Sequence, residues 1–302
     1  MNSRIPPGSV ALVTGSSSGF GLQCCVELAR RGMRVFASMR DLSRSEGLDA
    51  AMAEVGLTCD KVELDVTKPD SLATAVAEIA DRVGPKPPGN TAETGDEPLL
   101  VPVDIVVNNA GFGLGGFVED LTMDKLREQF ETNFFGLVAL TKAVLPGMRE
   151  RRRGRIINIS SLSGRMGQPG AGAYAASKFA VEGISESLRL ELLPYGVYVV
   201  LIEPGMFRTD LFDRNQRITA RALEPDSPNY KALMRLKSIV EKRLARGGDP
   251  RQVARVVGQA VAADKPRLRY LVGSDAAVAG TLKGILPFGL WERAVGRVIG
   301  AD

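Results

Sequence analysis

The sequence predicts an α/β fold: a single dinucleotide-binding and catalytic domain over residues 1–302, with about seven parallel strands and helices on both faces. Three observations predict it. Short, β-branched apolar runs alternate with longer stretches of helical periodicity. Those runs are nearly continuous in apolar character, as befits strands buried on both sides. The first of them leads straight into a glycine-rich turn and then a helical stretch, the opening of a doubly wound, Rossmann-type sheet.

The expected strands are Val10–Thr14, Arg34–Ser38, Lys61–Leu64, Asp104–Asn108, Arg155–Ile159, Val197–Ile202 and Arg269–Val272. Helical stretches fall between them, among them Gly21–Arg31, Ser71–Arg82, Asp124–Arg149 and Ala176–Leu193. Three segments break the rhythm. Residues 84–103 are rich in proline, glycine and acids, which suits a surface-loop insertion. Residues 206–248 follow a strand's carboxyl end, where segments commonly cover the ligand crevice, and read as a substrate lid. Its apolar residues Met206, Phe207, Leu211 and Phe212 suit either a lipophilic substrate or ordinary packing. Residues 276–302 form an apolar tail, expected to pack on the body or on a partner subunit rather than on a membrane.

Composition narrows the chemistry. The chain has no histidine, which removes Ser-His-Asp hydrolysis and every His-ligated metal site. No metal is expected, and any general acid or base must be Tyr, Lys, Asp, Glu or Cys. Cys24, Cys25 and Cys59 form no metal-ligand spacing and read as reduced, mostly buried thiols. The net charge is only +4, and the arginines at 149, 151, 152, 153 and 155 follow a helical stretch. They read as a solvated helix end, so no nucleic-acid partner is expected. No run is long enough to span a bilayer and no leader is evident, so the expected compartment is the cytoplasm.

The turn Thr14-Gly15-Ser16-Ser17-Ser18-Gly19-Phe20-Gly21 follows a strand and opens a helix. That arrangement presents backbone N–H groups and a positive helix end to a diphosphate. A tight turn with close helix packing would use the same glycines. Asp41 stands where an acid holding a ribose 2′-hydroxyl is expected, or it caps a helix Leu42–Ala50. Arg40 precedes it, and a guanidinium there pairs with a 2′-phosphate. NADP(H) is therefore expected over NAD(H).

Tyr174 and Lys178 stand at i and i+4, on one face of a helix. A phenol is ionised roughly one part in a thousand at neutral pH. Bringing its pKa to about 7 takes roughly 4 kcal/mol, which an ammonium one turn away and an oxidised nicotinamide ring can supply. A packed aromatic beside a surface lysine is the plainer reading of that pair alone. The loop Ser160-Ser161-Leu162-Ser163-Gly164, just before the tyrosine helix, adds a hydroxyl able to hold the same substrate oxygen.

Together these residues resemble the short-chain dehydrogenase/reductase family over residues 8–275. The likeness rests on Thr14–Gly21, Asp65, Asn108-Asn109-Ala110-Gly111, Asn133, Ser161, Tyr174 with Lys178, and Pro204-Gly205 with Thr209. It implies that Gly15, Ser17, Ser18, Gly19, Phe20 and Gly21 hold the diphosphate. Asp65 and Val66 would hold the adenine, and Asn109 and Gly111 would lie beneath the ribose. Tyr174 would transfer the proton, Lys178 bind the nicotinamide ribose, Ser161 orient the substrate, and Asn133 hold a relay water. Pro204, Gly205 and Thr209 would flank the carboxamide. Ser38-Met39-Arg40-Asp41, the run from Tyr174 through Glu182 to Gly183, and Arg269–Gly273 most resemble the 17β-hydroxysteroid and retinol dehydrogenase branch. The steroid enzymes use a histidine this chain lacks, so steroid specificity is not expected.

The resemblance implies hydride transfer between NADP(H) and an alcohol/carbonyl pair, with a lipophilic small-molecule substrate and a homodimer or homotetramer. Alternatives are a reductase of carrier- or CoA-bound 3-oxoacyl chains, a catalytically silent cofactor-binding regulator, and a membrane-surface protein held by its tail.

Overall fold

Val10–Thr14 (β1) is buried along its whole length, and it sits centrally in a seven-stranded sheet. In the computed structural model the other strands of that sheet are Arg34–Met39 (β2), Asp60–Glu63 (β3), Ile105–Asn108 (β4), Gly154–Ile159 (β5), Val197–Pro204 (β6) and Arg269–Val272 (β7). Their order is β3-β2-β1-β4-β5-β6-β7, and every pairing is parallel. The chain therefore winds outward one way from β1 and, beginning with β4, the other way. That reversal opens a crevice at the carboxyl ends of the strands. The residues described are 5–84, 100–209, 216–276, 279–280 and 287–299.

Successive strand residues face opposite sides, so the sheet carries two cores. On one side Ala11, Val13, Val35, Ile105, Val107, Ile157 and Val200 pack with the helices Gly19–Arg30 (α1) and Pro250–Ala262 (α2). On the other, Leu12, Phe36, Val62, Val106, Ile156 and Val199 meet Pro69–Val83 (α3) and Gly136–Glu150 (α4). Cys24 and Cys25 are both fully buried, because α1 is covered by α2 as well as by the sheet. Burial pushes the Cys24 thiol up to about 12 and that of half-buried Cys59 to about 11. Neither is a ready nucleophile.

Three expectations are corrected. The stretch Asp124–Arg149 is not one helix: Met123–Phe130 and α4 are joined by a widened π turn at Glu131–Phe135. Asn133 in that turn makes two backbone hydrogen bonds to Phe112, accepting from its N–H and donating to its carbonyl, each at 3.1 Å. Helix Leu42–Ala50 is instead a 3₁₀ turn, Leu42–Arg44, followed by Glu46–Glu54. The arginine run is a solvated helix end only in part: Arg149, in the last turn of α4, and Arg152 are exposed, while the other three turn inward. Arg151 donates to the Val101 and Val103 carbonyls, Arg153 pairs with Asp104, and fully buried Arg155 donates to the Ala263 carbonyl. These residues tie the sheet's amino-terminal edge to the loops before β4 and after α2.

Most of the expected insertion, at 85–99, lies outside the described residues, as do Leu211 and Phe212. Within the segment expected as a lid, Gln216–Ile218 pairs in parallel with Gly113–Gly115, and Tyr230–Ala245 (α5) follows. Of the tail, helix Phe288–Ile299 packs against α5, while Trp291 and Ala279 lie on Leu162, Met166 and Ala276. Among the described residues, no helix is long and apolar enough to cross a membrane.

Candidate active site

The glycine turn is built by backbone geometry that side chains would forbid. Gly15 and Gly19 adopt positive φ, +66° and +57°. A Cβ on Gly21 would run into the Gly15 carbonyl and the Asn109 amide. Ser16 turns inward, donating to the Val13 carbonyl at 2.8 Å, so Ser17 and Ser18 face the crevice. The bare backbone from 15 to 19 at the amino end of α1 fits an anionic diphosphate.

Thr14 pins the turn to the neighbouring strand. Its hydroxyl accepts from the Asn109 and Ala110 N–H groups, both at 2.9 Å. Asn109 in turn donates to the Thr14 and Gly15 carbonyls at 2.8 and 3.1 Å. Sequence reasoning gave Thr14 no role; a hydroxyl at the end of a buried strand was the available signal. Asp65 is not the cap of α3, whose N-cap is Lys68. Its carboxylate accepts from the Thr67 N–H and hydroxyl at 3.0 and 2.7 Å, which fixes the loop carrying Val66.

At the far end of the crevice Asp41 accepts from the Ser43 N–H at 3.0 Å and its hydroxyl at 2.6 Å, and these bonds hold its carboxyl below the usual range. Arg40 and Arg44 line the crevice as well. Arg44 was missed because the 3₁₀ turn that brings it there was read as regular helix.

Tyr174 and Lys178 lie on helix Gly172–Leu192 (α6), nearly buried, with 5% and 7% of their surface exposed. They line the crevice with Ser161, Asn109 and the glycine turn. The Lys178 ammonium lies 5.7 Å from the centre of the Tyr174 ring and donates to the Ile159 carbonyl at 2.8 Å. In the protein alone the expected acidification of Tyr174 is absent. Burial pushes the phenol up to about 12, against the lowering effect of its hydrogen bond with Ser161. Burial also brings Lys178 down to about 8, with Glu182 acting in the opposite direction. For both groups desolvation is the larger effect. Ser161 starts the 3₁₀ turn Leu162–Gly164 and accepts from the Ser163 N–H at 3.1 Å.

Asn133 and Gly21 stand back from the crevice wall; the other expected site residues line it. Asn133 links the site's frame together, donating to the Ser177 hydroxyl, which donates to the Tyr174 carbonyl at 2.7 Å. Gly205 and Met206 are held by Asp275, whose carboxylate accepts from the Met206 N–H at 2.7 Å and occupies the space a Cβ on Gly205 would need. Arg217 also lines the crevice, over the Phe112 ring at 4.5 Å and paired with Glu128. Neither Asp275 nor Arg217 belongs to a local motif. Phe207 is only 1% exposed and meets Phe20 edge-on at 5.6 Å, so it is mainly packing.

A sequence profile of the family described as short chain dehydrogenase matches residues 9–86 and 92–218. The chain belongs to this family. A 3-ketodihydrosphingosine reductase of Bacteroides thetaiotaomicron is 37% identical over 265 residues, covering 87% of each chain. Human retinol dehydrogenase 8 is 34% identical over 297 residues, covering 95% of this chain and 89% of its own. A short-chain dehydrogenase of Streptomyces avermitilis superposes with a TM-score of 0.77 at 32% identity over 98% of both chains. An actinorhodin polyketide ketoreductase solved with NADPH superposes at 0.69 and 29% identity, over 89% of this chain and 97% of its own. This short-chain dehydrogenase is thus an oxidoreductase that uses a nicotinamide nucleotide, near the retinol dehydrogenase-like branch.

Proposed function

We propose that the enzyme transfers hydride between NADP(H) and a lipophilic alcohol/carbonyl pair, working mainly as a carbonyl reductase. The observation that carries this reading is that Tyr174, Ser161 and the glycine turn line one crevice. The nicotinamide supplies or accepts the hydride at the carbonyl carbon. Tyr174 gives its proton to the carbonyl oxygen, Ser161 holds that oxygen in place, and the phenolate recovers a proton from water. A phenol held near 12 keeps its proton at neutral pH, the state a donor needs. Lys178, near 8, is an ammonium about nine times in ten at pH 7, able to hold ribose hydroxyls and steady the phenolate as it forms. Asn133 stiffens the frame between β4 and α6 and offers a place for a relay water.

The turn Gly15–Phe20, with Gly21 behind it, holds the diphosphate; Asp65 and Val66 hold the adenine, Asn109 and Gly111 underlie the ribose, and Pro204, Gly205 and Thr209 flank the carboxamide. NADP(H) is favoured over NAD(H) because Arg40 and Arg44 line that end while Asp41 is engaged by Ser43. A lipophilic substrate agrees with the retinoid and sphingoid names of the relatives, and residues 206–248 serve as its lid. Exposed Phe135 and Phe179, 51% and 47% accessible, suit a homodimer or homotetramer. The free thiols suit a cytoplasmic location.

The test is titration with NADPH and NADH, followed by a panel of aldehydes and ketones of increasing chain length, read by nicotinamide absorbance. Tighter NADPH binding and faster turnover of long-chain carbonyls are expected. Tight binding with no hydride transfer across the panel would instead identify a silent regulator.

A further inference from the structure

Tyr174, Lys178, Glu182 and Glu186 recur at four-residue steps on α6, so they run along one face. The first two line the crevice; Glu182 does not, and it is only 7% exposed. Beyond it, near the carboxyl end of β6, stands fully buried Glu203. Arg269 on β7 joins the two acids, its guanidinium 3.0 Å from Glu182 Oε2 and 3.1 Å from Glu203 Oε1. It also pairs with Glu186 at 2.6 Å. Arg165 reaches Glu203 at 3.4 Å. The Ser160 hydroxyl lies against Glu182, short of a well-directed hydrogen bond. Among the described residues these are the charged or titratable groups facing Glu182: Lys178 and Glu186 on its helix, Glu203, Arg269 and Arg165.

The arrangement is costly for a fold that needs only packing at this place. Buried ion pairs are often replaceable by apolar residues without loss of stability. Burial pushes Glu203 up to about 7 and moves Glu182 in the same direction. What the network achieves is a carboxylate fixed one turn beyond Lys178, on the lysine's own face. Gly164 permits it, since a Cβ there would come 2.8 Å from Ser160 Oγ and 3.0 Å from Glu182 Cγ. Among the described residues, Glu182 is also the charge that opposes the loss of the Lys178 proton on burial.

We propose that Glu182 is a positioning residue that keeps Lys178 an ammonium, with Arg269, braced by Glu203, clamping the carboxylate in place. Its consequence for catalysis rests on the role given to Lys178 above; the coupling itself does not require turnover. It places the upper edge of the working pH range outside the crevice.

The test uses the full chain without cofactor, labelled with ¹³Cε-lysine, the Lys178 resonance being identified by its loss in Lys178→Met. Glu182→Gln is expected to lower the midpoint of the Lys178 titration, cutting its ammonium-to-amine ratio roughly three- to tenfold at a given pH. Glu182→Asp, which keeps the charge, is expected to recover most of that shift. Glu203→Gln removes a buried carboxyl from the same network and is expected to move the midpoint far less. An unmoved midpoint in Glu182→Gln, or an equal movement in Glu203→Gln, would overturn the proposal. The alkaline limb of kcat should follow the resonance. A shifted resonance with an unshifted limb upholds the coupling and counts against the catalytic role of Lys178.

Discussion

The Lys178 ammonium faces the Tyr174 ring from one helical turn away, 5.7 Å from its centre, yet its hydrogen bond goes to the Ile159 carbonyl. The hydrogen bond of the lysine is therefore spent on the backbone and not on the phenol. Both groups are nearly buried, and burial moves them toward neutrality from opposite ends of the scale.

That opposition gives a pH dependence with a definite sign. Lys178 titrates near 8 in the folded chain and at 10.5 when unperturbed. Between those values the unfolded chain holds the extra proton, so the contribution of this group to stability rises with pH. Tyr174, at 10.0 unperturbed and about 12 folded, works the other way above pH 10. Thermal melts of wild type and Lys178→Met across this range should show wild type gaining on the variant from pH 8 to 10. A constant difference would mean the lysine is not desolvated.

Gly21→Ala should damage the turn rather than the chemistry. Its Cβ would meet the Gly15 carbonyl and the Asn109 amide, a misfit of the kind that costs about 1–3 kcal/mol. Cofactor affinity, followed by fluorescence titration, should fall at least about tenfold as the diphosphate cradle distorts. Unchanged affinity would remove the glycine turn from the binding site.

Arg40→Ala should discriminate the two cofactors. A charge-assisted bond to a 2′-phosphate contributes about 1.5–3 kcal/mol, so the NADPH Kd should rise roughly tenfold or more while that of NADH changes little. Equal effects on both would place Arg40 away from the 2′ position.

Phe207 separates a lid from a core. At 1% exposure against Phe20, truncation to alanine should cost about 3–5 kcal/mol in chemical denaturation. A loss below about 1 kcal/mol would fit a mobile cover.

Much of this was legible because it is local. The strands are continuous apolar runs, and their cores agree with the expected positions to within two residues. Tyr174 and Lys178 are neighbours by helical spacing alone. What stayed hidden depends on distant partners. Asn133 in the π turn bonds to Phe112 on a separate segment, and Arg153 and Arg155 turn inward because they find Asp104 and the Ala263 carbonyl. Arg44 needed a 3₁₀ turn to reach the crevice, and Asp275 needed β7 beside β6 to meet Met206. The high pKa of Tyr174 in the protein alone is a property of packing, which residue spacing does not show.

The central claim is that the Tyr174 hydroxyl carries the proton. Turnover of Tyr174→Phe, measured beside its NADPH affinity, tests it most directly. The account predicts kcat lower by about 10²–10⁴-fold, the usual contribution of a general acid, with the cofactor Kd nearly unchanged. Undiminished turnover of a genuine substrate would contradict it.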